Sequence, residues 1–249
     1  MSSNISNKDQ KLLCLRSGNR CAFPGCNIIL TKDETIGDKE SIIGDMAHIE
    51  GARTDAARYN PNMTDRERNP YRNLILLCKN HHKIIDDQPQ EYSVQKLREI
   101  KDKHEKWIEE STKKEILNIT FEELNIVTKY LVSGQSEMLD TYNIISPKDK
   151  IKKNMLSSKI EQLITMGMIQ VKQVANFLNR VPDIEFSDRL KAGFVNEYSK
   201  LKNIDGFMGD DLFDALLDFA SGGSIDFKQK AAGLAVLVYL FEKCEVFEQ

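Results

Sequence analysis

Cys21 and Cys26, in Cys-Ala-Phe-Pro-Gly-Cys, and Cys78 and His81, in Cys-Lys-Asn-His, have the types and spacing of one zinc site. Zinc takes four soft or borderline donors in a tetrahedron, and closed structural sites draw each ligand pair from a short turn. A further histidine, His82, follows His81 directly. Adjacent side chains diverge, so His82 is free to face a different centre. Four residues on comes Asp86; on a helix these two positions share a face, and both can meet one ion. Between the two zinc turns lie His48 and Asn73. The set therefore offers a closed zinc site and, at His82, a second centre that is the reason to suspect chemistry.

Arg53, Arg58, Arg66, Arg68 and Arg72 fall between His48 and Asn73, interleaved with Asp55, Asp65 and Glu67. Two readings are open. The stretch is either a solvated loop with internal ion pairs or a source of phosphate contacts, with Arg53, Arg58 and Arg72 as the candidates; its position beside the histidines favours the second. Of the nearby carboxylates, strand alternation turns Asp45 to the side opposite His48, and Asp87 reads as a solvated or capping group.

The elements that must position these residues are short. A helix is predicted over 8–16, ended by Ser17-Gly18-Asn19. Residues 41–49 read as a strand carrying His48 near its end. Residues 50–72 form a polar loop, long for a compact domain unless it is functional. Residues 74–77 are a second, buried strand introduced by Asn73, and residues 81–85 begin a helix that stops before Pro89. From a Ser93 cap, Val94, Leu97, Ile100 or Lys101, His104, Trp107 and Ile108 follow helical spacing, and His104 reads as a satisfied structural histidine. Beyond a boundary near 111–119 the pattern is helical throughout. Thr120-Phe121-Glu122-Glu123 has capping-box spacing, and Ser146-Pro147 sets a proline at a first helical position. Further helices are predicted over 148–165, 171–179, 187–202, 210–220 and 227–244, with breaks at 203–209 and Gly222-Gly223. The expected organisation is α+β over 1–112, followed by an all-α domain over 120–249.

At 249 residues either half can bury a core of its own. The first residues lack the basic start and apolar run of a secretory signal, and the longest apolar run, 231–241, is about half of what a bilayer crossing needs. The expectation is a cytoplasmic protein with no membrane association. Under reducing conditions five cysteines argue for metal binding over disulfides, which leaves Cys14 and Cys244 as small hydrophobes without a role. A net charge of -3 is not that of a dedicated nucleic-acid binder.

Taken together, Ala47-His48-Ile49, then Asn73 through Cys78-Lys79-Asn80-His81-His82, then Ile85-Asp86, resemble the HNH endonuclease family over roughly 11–110. The resemblance implies a ββα-metal nuclease domain stapled by a structural zinc on Cys21, Cys26, Cys78 and His81. It implies His48 as general base and Asn73 as the residue that holds the loop bearing it. His82 and Asp86 would hold the catalytic divalent cation, Mg2+ or Mn2+, with DNA as substrate. Many members carry an acidic residue or a histidine directly before the base, where this chain has Ala47. The segments 209–223, 231–237 and 241–247 look like a C-terminal domain of bacterial three-component systems built around an ABC-type ATPase. That likeness implies a defence role against phage or plasmids, with this half docking partner proteins or a second copy; the other reading is a helical dimerisation domain of another nuclease. A rival for the whole chain is a non-catalytic, zinc-stabilised adaptor that binds nucleic acid or protein.

Overall fold

A computed structural model describes residues 5–133, 147–243 and Phe247. The chain separates into two compact units, Met1–Glu109 and Glu110–Gln249. It is a mixed α+β protein, mostly helical, with two small antiparallel sheets, both in the first unit.

Helix α1 (Asn7–Arg16) starts at Ser6, whose hydroxyl accepts the Asp9 backbone N–H at 3.1 Å, and it buries Leu12 and Leu13. The strand expected over 41–49 is two strands: β2 (Ser41–Ile42), paired with β1 (Thr31–Lys32), and β3 (Gly44–His48), paired with β4 (Leu74–Cys78). The chain changes sheets at Ile43. Its N–H is held by Leu30 O at 2.9 Å, and its carbonyl accepts Lys79 N–H at 3.3 Å. Gly44 is needed there because a Cβ would stand 2.9 Å from the Leu30 side chain.

Register fixes the rest of the unit. Gly44 faces Cys78 and His48 faces Leu74, so the Cys78–His81 turn follows one end of the hairpin while His48 and Asn73 share the other. All five residues of β4 are buried, since α1 and α3 (Lys79–Asp87) both pack against it. The loop over 50–72 contains a single helical turn, α2 (Asp65–Arg68), and a 3-10 turn, Tyr71–Asn73. Helix α4 (Val94–Glu115) is capped by Ser93 Oγ, which accepts Lys96 N–H at 3.3 Å. It buries Leu97, Ile100, Lys101, His104 and Ile108, and His104 Nε2 lies 3.0 Å from Ser17 O, a satisfied core histidine. The division between the units falls inside α4, just ahead of the 111–119 stretch.

Among the described residues the second unit is all helical: α5 (Phe121–Val132), α6 (Pro147–Lys153), α7 (Ser158–Met168), α8 (Val171–Leu178), α9 (Phe186–Asn203), α10 (Gly209–Ala220) and α11 (Phe227–Glu242). Thr120 and Glu123 form the capping box that their spacing predicts. The single helix expected over 148–165 is two. Met155 takes φ 54, which interrupts α6, and Ser157 starts α7 with its N–H on Asp210 Oδ1 at 2.8 Å. Helix α11 is the core, buried from Ala231 to Val238 and again at Leu240 and Phe241. α5, α7, α8 and α10 all pack on it. Cys244 lies outside the described residues. No helix among them is long and apolar enough to cross a membrane.

Candidate functional site

Cys78 is the N-cap of α3, and His81 lies in that helix's first turn. The cap's extended backbone and the first helical turn bring Cys78 Sγ and His81 Nδ1 to 3.1 Å. The other pair arrives because Ala22 N–H bonds Leu76 O at 2.9 Å, clipping the 21–26 turn to β4. Cys21 Sγ then stands 3.5 Å from His81 Nδ1 and accepts Cys78 N–H at 3.3 Å. Donor atoms of Cys21, Cys26, Cys78 and His81 lie within 4.8 Å of one another and can hold a metal ion. Phe23 stacks on the His81 ring at 3.9 Å with 6° between planes, which fixes that ring's orientation. Burial pushes the Cys21 thiol up to about 12, so its thiolate is favoured only when a cation compensates it.

At the other end of the hairpin, Asn73 ties the strand that ends on His48 to the loop that follows. Its Oδ1 accepts Glu50 N–H at 2.9 Å, and its Nδ2 donates to Glu50 O at 3.0 Å and Arg68 O at 2.9 Å. His48 Nε2 lies 3.2 Å from Asn69 Oδ1. With that amide oxygen accepting Nε2–H, the lone pair of the neutral ring is on Nδ1. Burial holds the His48 pKa below 6.5; the bond to Asn69 opposes this, and His82, within electrostatic reach, adds to it.

His82 is one residue past His81, and the rotation of about 100° per helical residue turns it to another centre. Its Nε2 is 3.3 Å from Asp86 Oδ2, the expected i, i+4 pair, and its Nδ1 is 3.2 Å from Asp45 Oδ2. The carboxylate that alternation turned away from His48 thus reaches the neighbouring histidine. Asp86 and Asp45 raise the His82 pKa above 6.5 against the effect of burial. For Asp86, burial works upward, but hydrogen bonds from His82 and Arg58 outweigh it and hold the carboxyl below its usual value. Asp87 pairs with Lys83 at 2.6 Å on the surface.

The expectation that Arg58 contacts phosphate is corrected by its burial: its side chain is 4% exposed. Nε donates to Ile49 O at 2.9 Å, Nη1 to Ile85 O at 2.5 Å and Nη2 to Asp86 Oδ1 at 2.7 Å. The fork clamps the residue after His48 to the end of α3. Arg68 is spent similarly, on the carbonyls of Gly51, Asn60 and Met63, so the 50–72 loop is pinned from inside. Arg53 and Arg72 are exposed and remain open to a polyanion. Asn69 is the site residue that sequence reasoning missed, and Asp45 the one that it weighed and set aside on strand alternation. Asn69 precedes Pro70, a pair that marks a turn and carries no sign of a partner 21 residues away.

No known protein-family model and no curated protein matches this chain. Its functional reading rests on the residues and their geometry.

Proposed function

We propose that the chain is a metal-dependent HNH-type endonuclease that hydrolyses phosphodiester bonds of DNA. The observation that carries this reading is that β3 ends on His48, the turn into β4 ends on Asn73, and α3 carries His82 and Asp86, a hairpin followed by a helix. His48 takes the proton of the attacking water on Nδ1, while Asn69 holds Nε2. Asn73 keeps the strand end and the following loop at fixed separation through its three bonds to backbone, and the geometry of in-line attack depends on that. Arg53 and Arg72 contribute phosphate contacts.

His82 and Asp86 fit a divalent cation. Ligand atoms in neighbouring positions of an octahedral ion with bonds of about 2.1 Å lie about 3 Å apart, close to the 3.3 Å between Nε2 and Oδ2. When bound, Mg2+ or Mn2+ supplies Lewis-acid stabilisation of the phosphate and the departing oxygen. The Cys21, Cys26, Cys78 and His81 cluster suits a structural zinc: its four donors, three of them sulfur, come from two turns and leave no open position. The helical unit would serve as the docking domain for a second copy or for partner proteins, in a cytoplasmic anti-phage or anti-plasmid system built around an ABC-type ATPase.

The test is cleavage of supercoiled plasmid DNA with Mg2+ or Mn2+ by the wild type and by His48→Ala. Removing a general base is expected to cost about 10²- to 10⁴-fold in rate with zinc content unchanged. A His48→Ala variant that cleaves at the wild-type rate excludes this centre. A zinc-loaded wild type that binds nucleic acid or protein but never cleaves is the adaptor instead.

A further inference from the structure

The His82 ring has a carboxylate at each nitrogen, and the two carboxylates are not equivalent. Asp86 faces Nε2 through Oδ2 while its Oδ1 is taken by Arg58. Asp45 faces Nδ1 through Oδ2, from the strand residue that follows Gly44 and pairs with Leu77. Two anchors therefore hold the edge of the site from different elements, Arg58 on the Asp86 side and β3 on the Asp45 side.

An imidazole on a half-exposed helix otherwise divides between two tautomers and two ring orientations, and only one combination aims a lone pair at Asp86. An acceptor fixed at Nδ1 removes that degeneracy and makes Nε2 the better ligand, as outer carboxylates do for metal-binding histidines. A direct-ligand role for Asp45 does not fit. Among the described residues the Cys21, Cys26, Cys78 and His81 cluster is the one group that brings three or more donor atoms within 4.8 Å of one another. Asp45, His82 and Asp86 do not, because the ring stands between the two carboxylates.

We propose that Asp45 is a positioning residue: its carboxylate accepts Nδ1–H of His82 and so presents the Nε2 lone pair, beside Asp86 Oδ2, to a divalent cation. The proposal rests on the nuclease reading and deepens it by assigning a carboxylate 37 residues distant in sequence to the cation site.

The experiment is Mn2+ binding to the full-length, zinc-loaded protein without DNA, followed by electron paramagnetic resonance, with zinc content and thermal midpoint measured on every variant. Asp45→Ala is expected to weaken Mn2+ binding by about 10- to 100-fold. Asp45→Asn keeps an oxygen acceptor of the same shape at Nδ1 and is expected to retain most of the affinity, a rescue that a general packing role would not predict. In cleavage assays the Mn2+ concentration for half-maximal rate should rise in Asp45→Ala while the rate at saturating Mn2+ stays near wild type. If Asp45→Ala binds Mn2+ as the wild type does while His82→Ala does not, the role of Asp45 is overturned and the nuclease reading stands. If Asp45→Asn is as damaging as Asp45→Ala, Asp45 acts through its charge or as a ligand, and the positioning role fails. A wild type that takes up no Mn2+ beyond its zinc overturns both.

Discussion

At His48 burial, opposed by the bond to Asn69, holds the ring's pKa below 6.5, and the sign of this shift sets a pH profile. In the proposed mechanism His48 acts in its neutral form, so at saturating Mn2+ the rate should level off towards higher pH and fall as pH drops through the lowered value. Asn69→Asp puts a negative charge at Nε2, favours the protonated ring, and is expected to move that acid limb to higher pH. Asn69→Leu removes the acceptor and should lower the plateau rate without any upward move of the limb. A wild-type limb centred above pH 6.5, or an Asn69→Asp limb unmoved, would show that His48 is not the titrating base.

At the scale of elements, the 50–72 loop is held by arginines that face inward. Arg58→Ala leaves two carbonyls, Ile49 and Ile85, without their charged donor. At roughly 1.5 kcal/mol for each such bond the loss is about 3 kcal/mol, and the Asp86 contact adds little because that carboxylate is 44% exposed and screened by water. Urea unfolding should register it. Arg53→Ala and Arg72→Ala should instead leave stability within about 0.5 kcal/mol while each lowers the salt slope of DNA binding by about 1. Equal destabilisation by all three would make the loop arginines structural throughout. In the second unit α11 approaches the end of α10 through Gly233, where a Cβ would stand 2.7 Å from Ser221 N and 2.8 Å from Ala220 C. Backbone cannot swing aside as a side chain can, so Gly233→Ala should destabilise by about 1–3 kcal/mol despite alanine's better helix propensity. A raised thermal midpoint would refute the close contact.

For the whole molecule the decisive asymmetry is that every donor of the Cys21, Cys26, Cys78 and His81 cluster belongs to the first unit. Stripping zinc with a strong chelator should unfold that unit and spare the helices of the second, because metal binding there is part of the folding free energy. Circular dichroism should show partial loss of helix, restored by zinc; an unchanged spectrum and melting curve would remove the structural zinc. Of the apolar group Leu212, Phe213, Leu216, Leu217 and Phe219 and the segment 231–241, all but the half-buried Leu217, Phe219 and Tyr239 are buried in the core. In the proposed docking role this unit would use exposed side chains such as Ile126 and Tyr130, one turn apart on α5. Aspartate at both positions should abolish any self-association seen by sedimentation of the full-length chain.

The features legible in the sequence are those whose geometry is local. Turn spacing predicts the convergence of Cys21 with Cys26 and of Cys78 with His81, i, i+4 spacing predicts that His82 meets Asp86, and capping-box spacing marks the start of α5. Each needs only one turn or one helical repeat to be right. Tertiary structure alone decided the rest. Asn69 reaches His48 across 21 residues, and Arg58 reaches Asp86 across 28. Lys150, within a lysine-rich run, is wholly buried with Nζ on Phe241 O at 3.2 Å. Asp45 is the clearest case: alternation along β3 gives the side on which a residue leaves the strand, but which atoms it meets depends on where α3 lies, and α3 is set by the packing of Ile85 against β4. A hydrogen bond between distant segments is a property of two placements at once, and no local pattern in either segment encodes the other.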